Sequence, residues 1–211
     1  MAIAVAPGIR ELGQEDRFTA SSRAPELVRV PEITFVMVDG NGDPNTSTAY
    51  RDAIQTLYSL SYTLKFALKK ELGLAYRVAP LEGLWWADDM DEFGGESKAG
   101  WGWTAMIAQP DAVTPAWFAR AVDEVVRKKG PQVASGARLE HFTEGLCGQI
   151  LHVGPYAAEA PTIARLHAFI RECGGRFDGR LQKHHEIYLG DPRRSAPEKL
   201  RTIIRQPMTA A

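Results

Sequence analysis

The sequence carries almost no net charge, only two cysteines and no long apolar run. Its 25 Lys+Arg stand against 26 Asp+Glu, for a formal net charge of −1. Holding a phosphate backbone by bulk charge needs a basic footprint, so no direct nucleic-acid partner is expected. Cys147 and Cys173 have no paired spacing. That leaves neither a disulfide framework nor a zinc finger, and a reducing cytoplasm is the expected compartment. No stretch approaches the ~20 apolar residues that cross a bilayer, so no membrane partner is expected. The first residues have a short apolar start with no basic region ahead of it, unlike a signal peptide. His184 and His185 are adjacent, so on a strand they point to opposite faces and cannot share an ion. No Gly-rich phosphate loop follows a strand and opens a helix. No metal and no cofactor is expected.

What is present reads as a globular chain: 211 residues, 45% hydrophobic and 24% charged. At ~150 residues per domain this is one compact domain or two small modules sharing a core. Residues 1–24 lack a sustained period and read as an N-terminal arm, mobile or loosely docked, with the folded part at 25–211. Ile33–Val38 reads as a buried strand. Ser47 or Thr48 caps a helix that runs to Leu72 and stops at Gly73. Strands are expected at Arg77–Trp86 and Trp101–Gln109, joined by a polar, Gly-rich, acidic loop. A second helix is expected at Trp117–Lys129. Strands at Ala137–Thr143 and Leu146–Val153 are expected to meet in a tight turn at Glu144-Gly145. A third helix follows at Glu159–Cys173, then strands at His184–Leu189 and Leu200–Arg205.

The order strand, helix, strand, strand occurs twice, at about 25–110 and about 137–207. The expected fold class is therefore α+β: duplicated strand–helix–strand–strand modules forming one curved, mainly antiparallel sheet with helices on one face.

Two groups of residues suggest chemistry. On a strand at His184–Leu189, Ile187 and Leu189 share one face and Glu186 and Tyr188 the other. The apolar pair is expected under a helix and the Glu–Tyr pair on the open side. A carboxylate among aromatic groups attracts protons or organic cations, although a half-solvated strand has the same pattern. Four of the five tryptophans, Trp85, Trp86, Trp101 and Trp103, fall around one hairpin. Trp101 and Trp103 share a face, while Trp85 and Trp86 oppose each other. They are core, or the flat wall of a pocket for a planar ligand. Cys147 sits in an apolar strand without a local base and reads as structural.

The segments PELVRVPEITFVMVDGNGDPN, PLEGLWW, MIAQPD, HFTEGLCGQILHVGPY and HHEIYLGDPRRSAPEKLRT resemble the GyrI-like small-molecule-binding proteins, over about 25–207. The resemblance implies the duplicated fold and a ligand pocket at the junction of the modules, against an aromatic wall and a carboxylate. The resemblance implies Glu186 and Tyr188 for catalysis and Trp85, Trp103 and Tyr156 for binding; Trp101, which shares the Trp103 face, and Glu144 are added as expected binding residues. Some family members hydrolyse cyclopropane-bearing DNA-alkylating compounds, a detoxifying activity. Others only bind drugs or act as gyrase inhibitors. The ligand implied is a planar hydrophobic or cationic small molecule. Related domains are effector-binding halves of transcription regulators. The 24 residues ahead of the match are not helix-patterned, so a DNA-binding regulator is not expected.

Overall fold

The computed structural model describes residues 8–13, 16–87, 98 and 100–210. The acidic loop singled out above, at 88–96, lies outside them. The elements in chain order are β1 (Ile9–Glu11), β2 (Glu26–Asn41), α1 (Thr48–Leu72), β3 (Leu81–Ala87), β4 (Trp101–Ala108), α2 (Pro115–Lys129), β5 (Arg138–Val153), α3 (Ala160–Glu172), β6 (His184–Tyr188) and β7 (Arg201–Pro207). Among the described residues the fold is α+β, with three α-helices and mainly antiparallel strand pairing. Among the described residues no helix is long and apolar enough to cross a membrane. The chain divides into two compact units, Ile33–Phe142 and the segment up to Glu32 together with that from Thr143. β2 and β5 each run through the division.

In the unit Ile33–Phe142, β4 pairs antiparallel with β2 on one side and β3 on the other. The ends of α1 follow from local chemistry. The Ser47 side chain accepts the Tyr50 amide hydrogen, and Gly73 takes the left-handed conformation (φ 67°) that closes the last turn. Leu57, Leu60, Leu64 and Leu68 recur at helical spacing and are fully buried. Alternation puts Val36, Val38, Gly40, Trp85, Trp103 and Ile107 on one face of the strands. α1 covers that face, where Tyr50 meets Trp85 and Trp103 and Ser61 accepts from Gln109. The other face carries Phe35, Met37, Leu84, Met106 and Ala108, flanked by Trp86 and Phe142. α2 starts at a Thr114 cap followed by Pro115 and packs along α1, where Arg120 and Glu71 pair at 2.5 Å.

In the other unit, β7 pairs antiparallel with β5 and β6. Leu166 and Ile170 of α3 pack on Ile150 and Ile204 with Leu27 and Met208. The approach is close: a Cβ at Gly148 would stand 2.7 Å from Ile170. The N-terminal segment is tied to this unit, since β1 pairs parallel with β2 and Leu12 is buried.

Three expectations are corrected. β3 begins at Leu81 and not at Arg77, because Pro80 has no N–H to give to a ladder. β2 starts at Glu26, ahead of Pro31, and not at Ile33. Most of all, Ala137–Thr143 and Leu146–Val153 are one strand, β5, with no reversal at Glu144-Gly145. The favoured two-residue turns need a positive φ at their first central residue. Gly145 has φ 74°, but no residue other than glycine has a positive φ among those described, so Glu144 cannot open such a turn. An isolated left-handed glycine inside a strand bends it and does not turn it back.

Candidate functional site

β6 positions the carboxylate. His184, Glu186 and Tyr188 share one face of β6, and His185 and Ile187 the other. Glu186 stands opposite Ile204, which stands opposite Ile150. Both isoleucines pack under α3. The Glu186 face is therefore the helix-covered face, the reverse of the expectation. Ile187 packs instead with Leu151 and Ile203 against Phe18 and Ala20 of the N-terminal segment. Alternation sorts side chains into two faces but does not say which one a helix will cover.

Glu186 keeps 15% of its side chain exposed. Tyr188 donates its hydroxyl hydrogen to Oε2 at 2.7 Å, and His184 Nε2 lies 3.2 Å from Oε1. Tyr156 sits in a short turn, Tyr156–Ala158, ahead of α3, with its ring edge-on to Tyr188 at 5.5 Å. Burial first, then the negative charges of Glu159, Glu186 and Asp191, push the Tyr156 hydroxyl up to about 12. It therefore stays a phenol, a hydrogen donor, through the neutral range. Glu159 is buried at the N-cap of α3, where the helix dipole favours a carboxylate. His152 Nδ1 and Thr162 Oγ1, 3.0 Å apart, link β5 to the first turns of α3.

Glu144 is not part of this group. Its Oε1 lies 2.8 Å from His185 Nδ1, on the opposite face of β6 from Glu186, and Oε2 lies 3.6 Å from Arg205 Nη1. Burial by itself would raise the Glu144 carboxyl, but His185 and Arg205 together hold it below its ordinary value. Arg205 also donates to Gln149 Oε1 at 2.8 Å, and Gln149 Nε2 to Glu26 Oε1 at 2.9 Å. Cys147 beside this network is inert as a nucleophile, because burial pushes its thiol well up.

In the unit Ile33–Phe142, the tryptophans separate as alternation requires. Trp85 and Trp103 are a cross-strand pair, and Trp101 meets Trp85 at 6.0 Å between ring centroids. Trp86 belongs to the opposite face. Tyr50, in the first turn of α1, packs on Trp103 at 5.0 Å and on Trp85 at 5.5 Å. Trp85 and Trp103 are buried, whereas Tyr50 and Trp101 are half-buried. Lys98 places its ammonium 4.7 Å over the Trp101 ring. Among the described residues no group of three or more His, Cys, Asp or Glu is arranged to hold a metal ion.

A carboxylate held by a phenol and an imidazole beside a second phenol, in one unit, and a nest of four aromatic rings, in the other, are each features that suit a small organic molecule. The family model for the GyrI-like small molecule binding domain matches residues 23–207. This chain belongs to that family. The GyrI-like chain is also similar to three solved structures from Listeria innocua. One, described as an uncharacterized conserved protein, is 40% identical over 95% of this chain and 100% of its own, with a TM-score of 0.86. Two described as hydrolases are 39% and 41% identical, cover 93% of this chain and 97% and 96% of theirs, and have TM-scores of 0.80. A comparison with curated proteins finds no match.

Sequence reasoning missed three residues of the GyrI-like chain. Tyr50 falls in a helix whose apolar spacing is explained by its core leucines, so nothing local marks it. Its one signal is position, in the first turn after the Ser47 cap. The sequence marks Glu159 only as the start of α3. His184 carries no metal signature and nothing local ties it to Glu186, although alternation places the two on one face.

Proposed function

We propose that this GyrI-like protein binds planar hydrophobic small molecules and hydrolyses cyclopropane-bearing, DNA-alkylating compounds among them, which is a detoxifying activity. The observation that carries the reading is the partly exposed Glu186 carboxylate, oriented by Tyr188 and His184 beside the Tyr156 phenol. Similarity at 39% and 41% identity to proteins described as hydrolases supports it.

The reaction fits a spiro-cyclopropane fused to a dienone. Glu186 takes a proton from a water molecule whose oxygen attacks the ring methylene. The ring carbon–carbon bond breaks, and its electron pair moves into the dienone, whose oxygen becomes phenolic as the ring aromatises. Tyr156 donates a hydrogen bond, and then a proton, to that oxygen. The proton on Glu186 returns Tyr156 to the phenol, so the sum is addition of one water. Tyr188 donates to Glu186 and is assigned to holding the base. Within the unit Ile33–Phe142, Tyr50 and Trp101 are assigned to stacking on planar molecules, with Trp85 and Trp103 packed behind them.

A time course of ligand mass by chromatography tests the proposal. A product heavier by one water, accumulating past one equivalent of protein, is the expected result. Tight binding without product would make the protein a non-catalytic, sequestering binder.

A further inference from the structure

We propose that His184 is the positioning residue of Glu186: its imidazole fixes the direction of the carboxylate and sets how readily it takes a proton. The inference rests on the reading of Glu186 as the base, and it assigns a role to a residue that the reaction itself does not touch.

The geometry is carried by one strand. His184 and Tyr188 lie two residues before and after Glu186, so all three project from the same face of β6. Tyr188 engages Oε2 at 2.7 Å and His184 engages Oε1 at 3.2 Å. A carboxylate has ~four lone-pair positions, and a hydrogen bond to each of its two oxygens fixes its plane. The two partners differ in what fixes them. Tyr188 is half-buried, whereas His184 is 2% exposed. A ring immobilised by packing holds its hydrogen bond without further loss of freedom, and away from water that bond is stronger.

The hydrogen on His184 has a required place. A lone pair on Nε2 would face the Glu186 oxygen and repel it, so Nε2 carries N–H whether the ring is neutral or protonated. His167 of α3 sits close enough to feel the charge of His184. Burial, His184 and Arg171 bring His167 down to about 4. At neutral pH His167 is therefore uncharged. The titratable and charged groups around the Glu186–His184 pair include Tyr188, Tyr156, Glu159, Asp191, His167 and Arg171. An N–H aimed at Oε1 favours the ionised carboxylate, the form that can take a proton from water.

The test compares His184→Leu, which removes the donor, with His184→Gln, whose amide N–H reaches a similar position. The readouts are kcat and KM on a spiro-cyclopropyl dienone, and the pH profile of kcat/KM. In His184→Leu, kcat should fall about 10- to 100-fold, the span that one hydrogen bond to a charged group is worth. KM should hold, and the acid limb of the profile should move to higher pH. His184→Gln should recover most of both changes. A His184→Leu enzyme with the wild-type rate and acid limb overturns the proposal, as does a His184→Gln enzyme no better than the leucine variant.

Two spectroscopic measurements need no turnover. One is the 13C titration of the Glu186 carboxyl, which should shift upward in His184→Leu. The other is the 15N spectrum of the wild-type His184 ring, which needs no folded variant. It should report hydrogen on Nε2, and a ring protonated only at Nδ1 overturns the proposal. If the wild-type protein forms no hydrolysed product, the hydrolase reading fails by itself. These two spectra then decide whether His184 governs Glu186.

Discussion

Trp103 lies across Gly40. The two residues face each other in the β2–β4 ladder, and a Cβ added at position 40 would stand 2.2 Å from the indole. The glycine is an absence of side chain that the large ring fills, with Tyr50 packed edge-on against the same indole at 5.0 Å.

Gly40→Ala should therefore displace Trp103 and unsettle Tyr50. Over-packing of this kind costs about 1–3 kcal/mol. Urea unfolding should show that loss, and titration with a planar fluorescent ligand should show weaker binding. Wild-type stability and affinity together would mean that the indole does not hold Tyr50 in place.

Glu186→Gln keeps the shape of the side chain but removes its basicity. Ring opening should fall by about 10²–10⁴-fold, the usual worth of a positioned general base. Affinity for a neutral planar ligand should change little, because stacking is untouched. Product formation and binding measured on the same preparation separate these outcomes, and an unaltered turnover rate removes Glu186 from the mechanism.

Tyr156→Phe removes the phenol assigned to the developing oxyanion. kcat should fall by about 10²–10³-fold, as for loss of one oxyanion donor. Because the Tyr156 hydroxyl is pushed up to about 12, the wild-type rate should show no tyrosine-dependent loss through the neutral range. A pH–rate series on both proteins checks this.

Glu144 predicts an acid dependence of stability. Its folded pKa is lowered from 4.5, so its contribution is fully present above that value and is lost as pH falls through the lower, folded one. Stability should decline in that acid window. Glu144→Gln should flatten the decline, and should cost about 3–5 kcal/mol at neutral pH by leaving His185 and Arg205 buried without their carboxylate. Denaturant unfolding at a series of pH values reads both effects.

How far the sequence can be read is clearest where signals are local. Ser47 and Gly73 mark the two ends of α1 because a cap is chemistry between near neighbours. Glu144-Gly145 misleads for the same reason. The pair has turn composition, but Glu144 is drawn to His185, 41 positions away, and Arg205, and β5 continues through as one strand. Tyr50 has no signal beyond its place after the Ser47 cap, since its partners Trp85 and Trp103 come from β3 and β4.

Local signals along the chain locate the helices and most strands, and place Glu186 and Tyr188 on one face. Spacing, caps and the two-residue period of a strand act over a few positions and need no partner. The tertiary structure decided that α3 covers the Glu186 face, that Tyr156 meets Tyr188, and that Tyr50 closes on the tryptophans. Each of these depends on which distant segments pair and in what register. Alternation states only that two side chains are on the same side or on opposite sides, and the packing of a helix chooses between the two.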